Sequence, residues 1–301
     1  MKILRSENWV FSKDNKPEDV AKPGEVVMFQ TEDCYAGQIT SEEDTQEHLN
    51  LNHTNPTAGP LYVEGAKPGD VLVVDILDVA VTGNGVSSTF KDEGCLSDVS
   101  EVRTRIIPID HGYATFHGLS WEIDPMIGVI GTCPANGEIS CGFTGHYGGN
   151  MDSKYIRKGS RVYLPVFVEG ALLQMGDVHA TMGDGEACGT GIEAPANIIV
   201  KVDLVKDFHI EWPVTETKDY WYINPTGASY GESYTSGAHE LARLMKPVYG
   251  WDETDIFIYY SIRGTVEINQ FVYPDPHPMV NLRVGVPKDQ NKNLIPYVNG
   301  Q

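Results

Sequence analysis

The chain lacks several features that would narrow its function at once. Its 301 residues contain no apolar run of 18 or more, so no membrane-spanning helix is expected. The opening Met1-Lys2-Ile3-Leu4-Arg5-Ser6-Glu7-Asn8 has no apolar signal core, which makes the cytoplasm the expected location. Positive charge is scarce: 22 Lys and Arg against 42 Asp and Glu give a net charge of -20. With no local Lys/Arg cluster to reverse that sign, a phosphate backbone would be repelled, and nucleic acid is excluded as a partner. The five cysteines, Cys34, Cys95, Cys133, Cys141 and Cys188, are odd in number and widely spaced. No C-x-x-C pair occurs, so neither a zinc knuckle nor a disulfide framework is expected. The G-x-S-x-G elbow, the P-loop, a dinucleotide-binding G-x-G-x-x-G and H-E-x-x-H are also missing. What remains is an acidic chain of ordinary globular composition, 41% hydrophobic and 21% charged. Its carboxylates suit divalent cations as guests, because hard cations take oxygen ligands.

Pro and Gly punctuate the chain. Lys22-Pro23-Gly24-Glu25, Lys67-Pro68-Gly69-Asp70 and Lys158-Gly159-Ser160 each precede a β-branched run, and read as turns that open strands. Strands are expected over residues 26–30, 71–79 and 161–168, and over 198–205, which alternates for much of its length. Val63-Glu64-Gly65-Ala66 is echoed by Val168-Glu169-Gly170-Ala171. The echo is either a duplicated half-domain or one turn chemistry used twice, and the second is preferred. Residues 112–149 are rich in Gly, His and Asn and read as site-rim loops with one short strand at 127–130. Helical spacing of Ala238, Leu241, Leu244, Met245 and Val248 predicts a helix bracketed by Gly231 and Gly250. A second helix should run from an Asp252 N-cap to about Arg263, stopped by Gly264 and followed by a strand over 265–273. Many strands and few, late helices argue for a β-sandwich with an α+β addition and no linker.

Three stretches carry chemistry. In Gly176-Asp177-Val178-His179, residues two apart on a strand share a face, so Asp177 and His179 present a carboxylate beside an imidazole, a pair suited to zinc. Gly183-Asp184-Gly185 then makes a turn, and Glu186 is expected on a returning strand near that pair. Glu193 lies seven positions on, as a further metal or base carboxylate. An earlier cluster holds Asp33, Cys34, His48 and His53; the Asn55-Pro56 turn after His53 would hold its imidazole rigidly. In Gly145-His146-Tyr147-Gly148-Gly149-Asn150-Met151-Asp152, the paired glycines Gly148 and Gly149 let backbone N–H groups approach a ligand, and Asn150 and Asp152 can orient a small polar substrate. Cys133 is the best thiol candidate, though no helix N-terminus adjoins it.

Taken together, three blocks resemble the acetamidase/formamidase family. They are Gly59-Pro60-Leu61-Tyr62-Val63-Glu64-Gly65-Ala66-Lys67-Pro68-Gly69-Asp70, then His146 to Asp152, then Pro165-Val166-Phe167-Val168-Glu169-Gly170-Ala171 through Asp177 and His179 to Glu186. The resemblance runs from about residue 20 to about 290. It implies a CUB-like β-sandwich (about 1–205) packed intimately with a smaller α/β part containing the C-terminal helices (about 206–301). It also implies hydrolysis of short amides, a homodimer or larger homo-oligomer, and a bound divalent metal, zinc first and calcium second. Asp33, His53, Asp177, His179, Glu186 and Glu193 match polar positions of the family blocks. On this expectation Asp33, His53, Asp177 and His179 hold the metal; Glu186, Glu193 and His53 move protons. Gly148, Gly149, Asn150 and Asp152 hold substrate. The Arg-Trp-His motif of the fungal-type formamidases is missing from Arg5-Ser6-Glu7-Asn8-Trp9, which favours the acetamidase branch. Two other readings compete: a thiol amidase using Cys133, and a non-catalytic binding protein stabilised by calcium.

Overall fold

The computed structural model describes residues 1–272 and 279–297. The principal strands are β1 (Val26–Thr31), β2 (Thr57–Val63), β3 (Val71–Val81), β4 (Met126–Gly131), β5 (Gly148–Asn150), β6 (Arg161–Pro165), β7 (Leu173–His179), β8 (Ala196–Val205), β9 (Val214–Glu216), β10 (Tyr220–Ile223), β11 (Thr265–Gln270) and β12 (Val280–Pro287). The two helices are α1 (Tyr230–Tyr249) and α2 (Glu253–Arg263). With 40% of residues in strands and 13% in helices, the molecule is mainly β, as expected.

A ten-stranded sheet runs in the order Lys2–Leu4, β1, β8, β3, β6, β9, β10, β12 and Thr226–Gly227, with β11 also paired to β12. A six-stranded sheet runs Thr144–Gly145, β5, β4, β7, β2 and Asp19–Ala21. The larger sheet is apolar on both faces. Leu72, Val74 and Ile76 of β3 join Phe29, Leu164, Ile198 and Val200 in a core shared with Leu61, Ile127, Ile130 and Leu173 of the smaller sheet. Their alternate neighbours Val71 and Val73 pack on the opposite face with Trp221, Val284, Leu241, Leu244 and Ile256, beneath the helices. Each such fully buried side chain contributes about 1.5–3 kcal/mol relative to exposure. No helix among the described residues is long and apolar enough to cross a membrane.

The echoed turns lie side by side. Val63 N–H donates to the Gly170 carbonyl and Gly170 N–H to the Ala66 carbonyl, both within 3.0 Å. The first turn carries the chain from the smaller sheet (β2) to the larger (β3), and the second carries it back, from β6 to β7. A duplicated half-domain would cross in the same sense twice, so this is one turn chemistry used in opposite directions. Gly24 (φ 86°) and Gly69 (φ 92°) occupy the left-handed region that the strand-opening turns require.

Helix α2 starts and stops where Asp252 and Gly264 predict, and α1 stops at Gly250 as expected but starts at Tyr230, so Gly231 lies inside it. Ser229 caps α1 and Asp252 caps α2 through side-chain acceptors, and Gly250 ends α1 with φ 71°. Three strand expectations need adjustment. Residues 161–168 form a strand only to Pro165, because the chain turns away between sheets. Residues 112–149 are not mostly loop: they contain Tyr113–Phe116, Leu119–Glu122, Glu138–Ser140, Thr144–Gly145 and all of β4. Beyond β11, Tyr273 of the expected 265–273 strand lies outside the described residues.

Candidate active site

The site is built where alternation in β7 breaks. Leu173 and Met175 point into the shared core. Strict alternation would send Asp177 and His179 there too. Instead Asp177 takes φ 55°, and Val178 occupies the core. The break frees Asp177 and His179 to share the other face, their Oδ1 and Nε2 atoms 3.6 Å apart. Opposite them in β4 sits Gly128, where a β-carbon would stand 2.5 Å from Asp152 Oδ1 and 2.6 Å from Asp177 Oδ2. The carbonyl of Gly128 also anchors the chain after β5, accepting the N–H groups of Met151 and Asp152.

Around His179 Nε2 stand four carboxylates: Glu193 at 3.0 Å, Asp177 at 3.6 Å, and Asp152 and Glu186 each at 3.9 Å. All five residues are buried. Asp152 (φ 46°) and Glu186 (φ 47°) share the left-handed backbone of Asp177. Such strain costs on the order of 1–3 kcal/mol per residue and gathers at functional sites. Gln270 Nε2 donates to Asp152 Oδ2 at 2.7 Å and to Glu186 Oε2 at 3.0 Å. With its amide nitrogen turned to the acids, Asn150 donates to Asp177 Oδ2 and Asp152 Oδ2, each at 3.1 Å. Gly191 N–H donates to Glu193 Oε1 at 2.7 Å.

Crowding of like charges in a dry site sets the protonation. Burial raises the Asp152 carboxyl well above the usual range, and the neighbouring acids push the same way. Burial also lifts Glu186, and it lifts Glu193 to about 8. For His179, burial opposes the imidazolium, but Glu193 and Asp177 outweigh it and raise the pKa well above its ordinary value.

Asp177, His179, Glu186, Glu193, Asn150 and Asp152 therefore come together. Glu186, however, lies on a loop after Gly185, which bridges to Gln270. The residue returning opposite His179 is Glu193. Arg283 secures that loop: it is wholly buried, and its Nη2 reaches both Asp184 oxygens at 2.9 Å.

Other expected residues go elsewhere. Asp33 is buried beside this region, but its Oδ1 accepts the N–H groups of Tyr35 (2.8 Å) and Gly37 (3.1 Å). Its neighbour Cys34 is the one whose thiol lies with Asp177 and Glu193, all three ligand atoms within 4.8 Å of one another. His53 is exposed and stacks on Trp9 with centroids 4.7 Å apart, and among the described residues neither metal-competent group includes it. His48 is exposed as well, its Nδ1 accepting the Thr45 N–H. Gly148 and Gly149 are buried and paired with β4, where β-carbons would strike the carbonyls of Ile130 (2.3 Å) and Phe143 (2.2 Å). Close sheet packing explains those glycines. Cys133 is fully buried, donates to the Pro134 carbonyl at 3.2 Å, and has its pKa pushed up to about 11 by burial. That is the opposite of an activated nucleophile.

Sequence reasoning placed Cys34 in the early cluster without giving it a role, and it missed Gln270. A thiol next to two distant acids leaves no local spacing signal. Gln270 arrives from β11, where the register shifts between Ile268 and Gln270.

The comparisons with known proteins agree with one another. Residues 11–139 and 144–262 match the profile of the Acetamidase/Formamidase family. A formamidase from Methylophilus methylotrophus is 28% identical over 277 residues, covering 70% of this chain and 67% of the relative. An acetamidase from Mycolicibacterium smegmatis is 28% identical over 254 residues, covering 62% of each. This chain thus spans about two thirds of the length of these curated relatives, which are amidase hydrolases. Among solved structures, an acetamidase from Bacillus halodurans superimposes with a TM-score of 0.91 at 32% identity, covering 95% of this chain and 97% of that one.

Proposed function

The chain belongs to the Acetamidase/Formamidase family, and from that premise we propose that it hydrolyses a short-chain carboxylic acid amide, acetamide or formamide, to the acid and ammonia with the help of a divalent cation. The observation that carries this reading is the buried imidazole ringed by four carboxylates. Asp152 Oδ1 is buried there without a hydrogen-bond partner, and Glu193 Oε2 meets only the His179 Nε2 at 3.0 Å, outside hydrogen-bond geometry. Each unsatisfied group costs roughly 1–3 kcal/mol or more, and a cation would remove that cost. The donors fit one: Asp152, His179 and Glu186 form one metal-competent triad, and Cys34, Asp177 and Glu193 another. Nitrogen and sulfur donors favour zinc; calcium, which takes oxygen ligands, is the second choice.

When bound, the cation supplies polarisation of the amide carbonyl and acidification of water. The chain's own groups do the rest. Gly191 N–H fixes Glu193 Oε1, leaving Oε2 beside His179 Nε2 as a place to take up and return a proton. Asn150 holds Asp177 and Asp152 in orientation, and without substrate Gln270 bridges Asp152 and Glu186. The same reading includes association of identical chains, supported by Phe257, Ile258 and Ile262, which α2 leaves 69%, 53% and 71% exposed.

The test is ammonia release from acetamide, formamide and propionamide, with metal analysis of the purified protein. Activity should disappear with chelator and return with zinc. His179→Ala and Glu193→Gln should each lower kcat about 100-fold or more. Full turnover by metal-free protein would remove the cation from the reading, and full turnover by both variants would remove the site.

A further inference from the structure

Two cavities flank the carboxylate cluster, and they are closed off from it in different ways. The first, about 300 Å³, is lined by Ile107, Phe116, Trp121, Met182 and Ile192. Its wall toward the cluster is main chain at Gly191, where a β-carbon would lie 3.0 Å from His179 Cγ. That main chain is tied down: Ile192 N–H bonds to Thr181 and Glu193 N–H to Val86. Opening it requires local unfolding. The second cavity, about 250 Å³, is lined by Glu93, Ser140, Phe143, Gly189, Val272 and Gln270. Gln270 belongs both to this cavity and to the cluster, since its nitrogen holds Asp152 and Glu186. What stands between this cavity and the acids is a half-buried side chain, and side chains change rotamer without disturbing the fold.

We propose that Gln270 is a displaceable stand-in for the substrate: an amide enters through the second cavity, swings the Gln270 side chain aside, and takes over its bonds to Asp152 and Glu186. This rests on the amidase reading and assigns its entrance and a specificity-determining residue. The exchange is like for like. Gln270 carries a primary carboxamide, and both N–H donors of its nitrogen are committed, one to each carboxylate. An incoming unsubstituted amide replaces them bond for bond, so no buried acceptor is left open. An N-methyl amide restores one bond and an N,N-dimethyl amide neither, and each unfilled acceptor carries a desolvation penalty. Asn150, the other carboxamide at the cluster, is buried and stays in place.

An internal competitor lowers apparent affinity by the fraction of time it occupies the site. Gln270→Ala should therefore lower KM for acetamide by about threefold or more, and N,N-dimethylacetamide should inhibit the parent protein less than N-methylacetamide. Val272→Trp, which narrows the second cavity, should raise KM, whereas Phe116→Trp in the first cavity should not. A fall in kcat with unchanged KM in Gln270→Ala would make Gln270 a fixed brace and overturn the proposal, as would the reverse pattern for the two tryptophans. A crystal structure of the parent protein soaked in acetamide decides the matter without turnover. Gln270 rotated out, with the ligand nitrogen on Asp152 and Glu186, supports the exchange. Gln270 in place, with acetamide elsewhere, sinks it. Failure of the parent protein to release ammonia from any amide would instead remove the amidase reading and leave the soak to judge Gln270.

Discussion

Acidic side chains seldom occupy the left-handed region of backbone space, yet Asp152, Asp177 and Glu186 all do so around one imidazole. Their placement depends on an absent side chain. Gly128→Ala would put a methyl group 2.5–2.6 Å from two carboxylate oxygens. It should cut kcat/KM about 100-fold or more while the protein stays folded, because a misplacement of about 1 Å suffices for such a loss; steady-state kinetics with circular dichroism checks this. The protonation of the same groups sets a second prediction. Asp152, Glu186, Glu193 and His179 all have raised pKa values in the folded, cation-free protein. The folded state thus holds more protons than the unfolded one, and the cation-free protein should lose stability as pH climbs from about 5 to about 8. Cation binding must expel those protons, so affinity should tighten over the same range, by about tenfold per unit for each proton released. Calorimetric titration and melting in chelator measure both signs.

At the scale of single elements, legibility followed local signals. Three helix ends were readable because Gly250, Asp252 and Gly264 mark them chemically, whereas the Ser229 cap of α1 was passed over for Gly231. Ser229→Ala should remove the bond from Glu232 N–H and cost about 1 kcal/mol, lowering Tm by about 2 °C for a chain of this size without altering turnover. The pairing of Asp177 with His179 was legible from spacing of two, though the parity break that exposes them was not. Glycine hid the strands within 112–149: a residue that favours turns in isolation is also what lets β4 and β5 approach closely. His53 and Asp33 misled for the same physical reason. A polar residue in a turn-forming segment has the right chemistry whether it binds a ligand, stacks on Trp9 or caps its own loop.

Across the whole molecule, residue 205 marks no seam. Strands β9, β10 and β12 extend the sheet that β3 and β6 begin. A buried charge network crosses the same line: Glu216 receives Arg161 at 3.3 Å, Tyr163 O–H at 2.7 Å and Lys288, while Arg161 also holds Asp75. Glu216→Gln leaves those cations short of a partner and should cost about 3 kcal/mol, read as a lower urea midpoint. Parent and variant should each unfold in one transition by every probe; separate melting of the two parts would contradict the shared sheet. Its core positions were readable because alternation reports burial directly. The order of its strands was not, since pairing partners lie far apart in sequence, Val26 of β1 opposite Lys201 of β8.

One consequence follows from β11. The acids and the imidazole are all translated before residue 200, but Gln270, which binds two of them, and Arg283, which secures the Asp184 loop, follow well after Glu193. A growing chain therefore carries the acids and the imidazole before it carries the groups that hold them, and the pocket is finished only when β11 and β12 dock. Assembly of the pocket thus waits on those two strands, so a product truncated before Gln270 carries the acids without the scaffold that disciplines them.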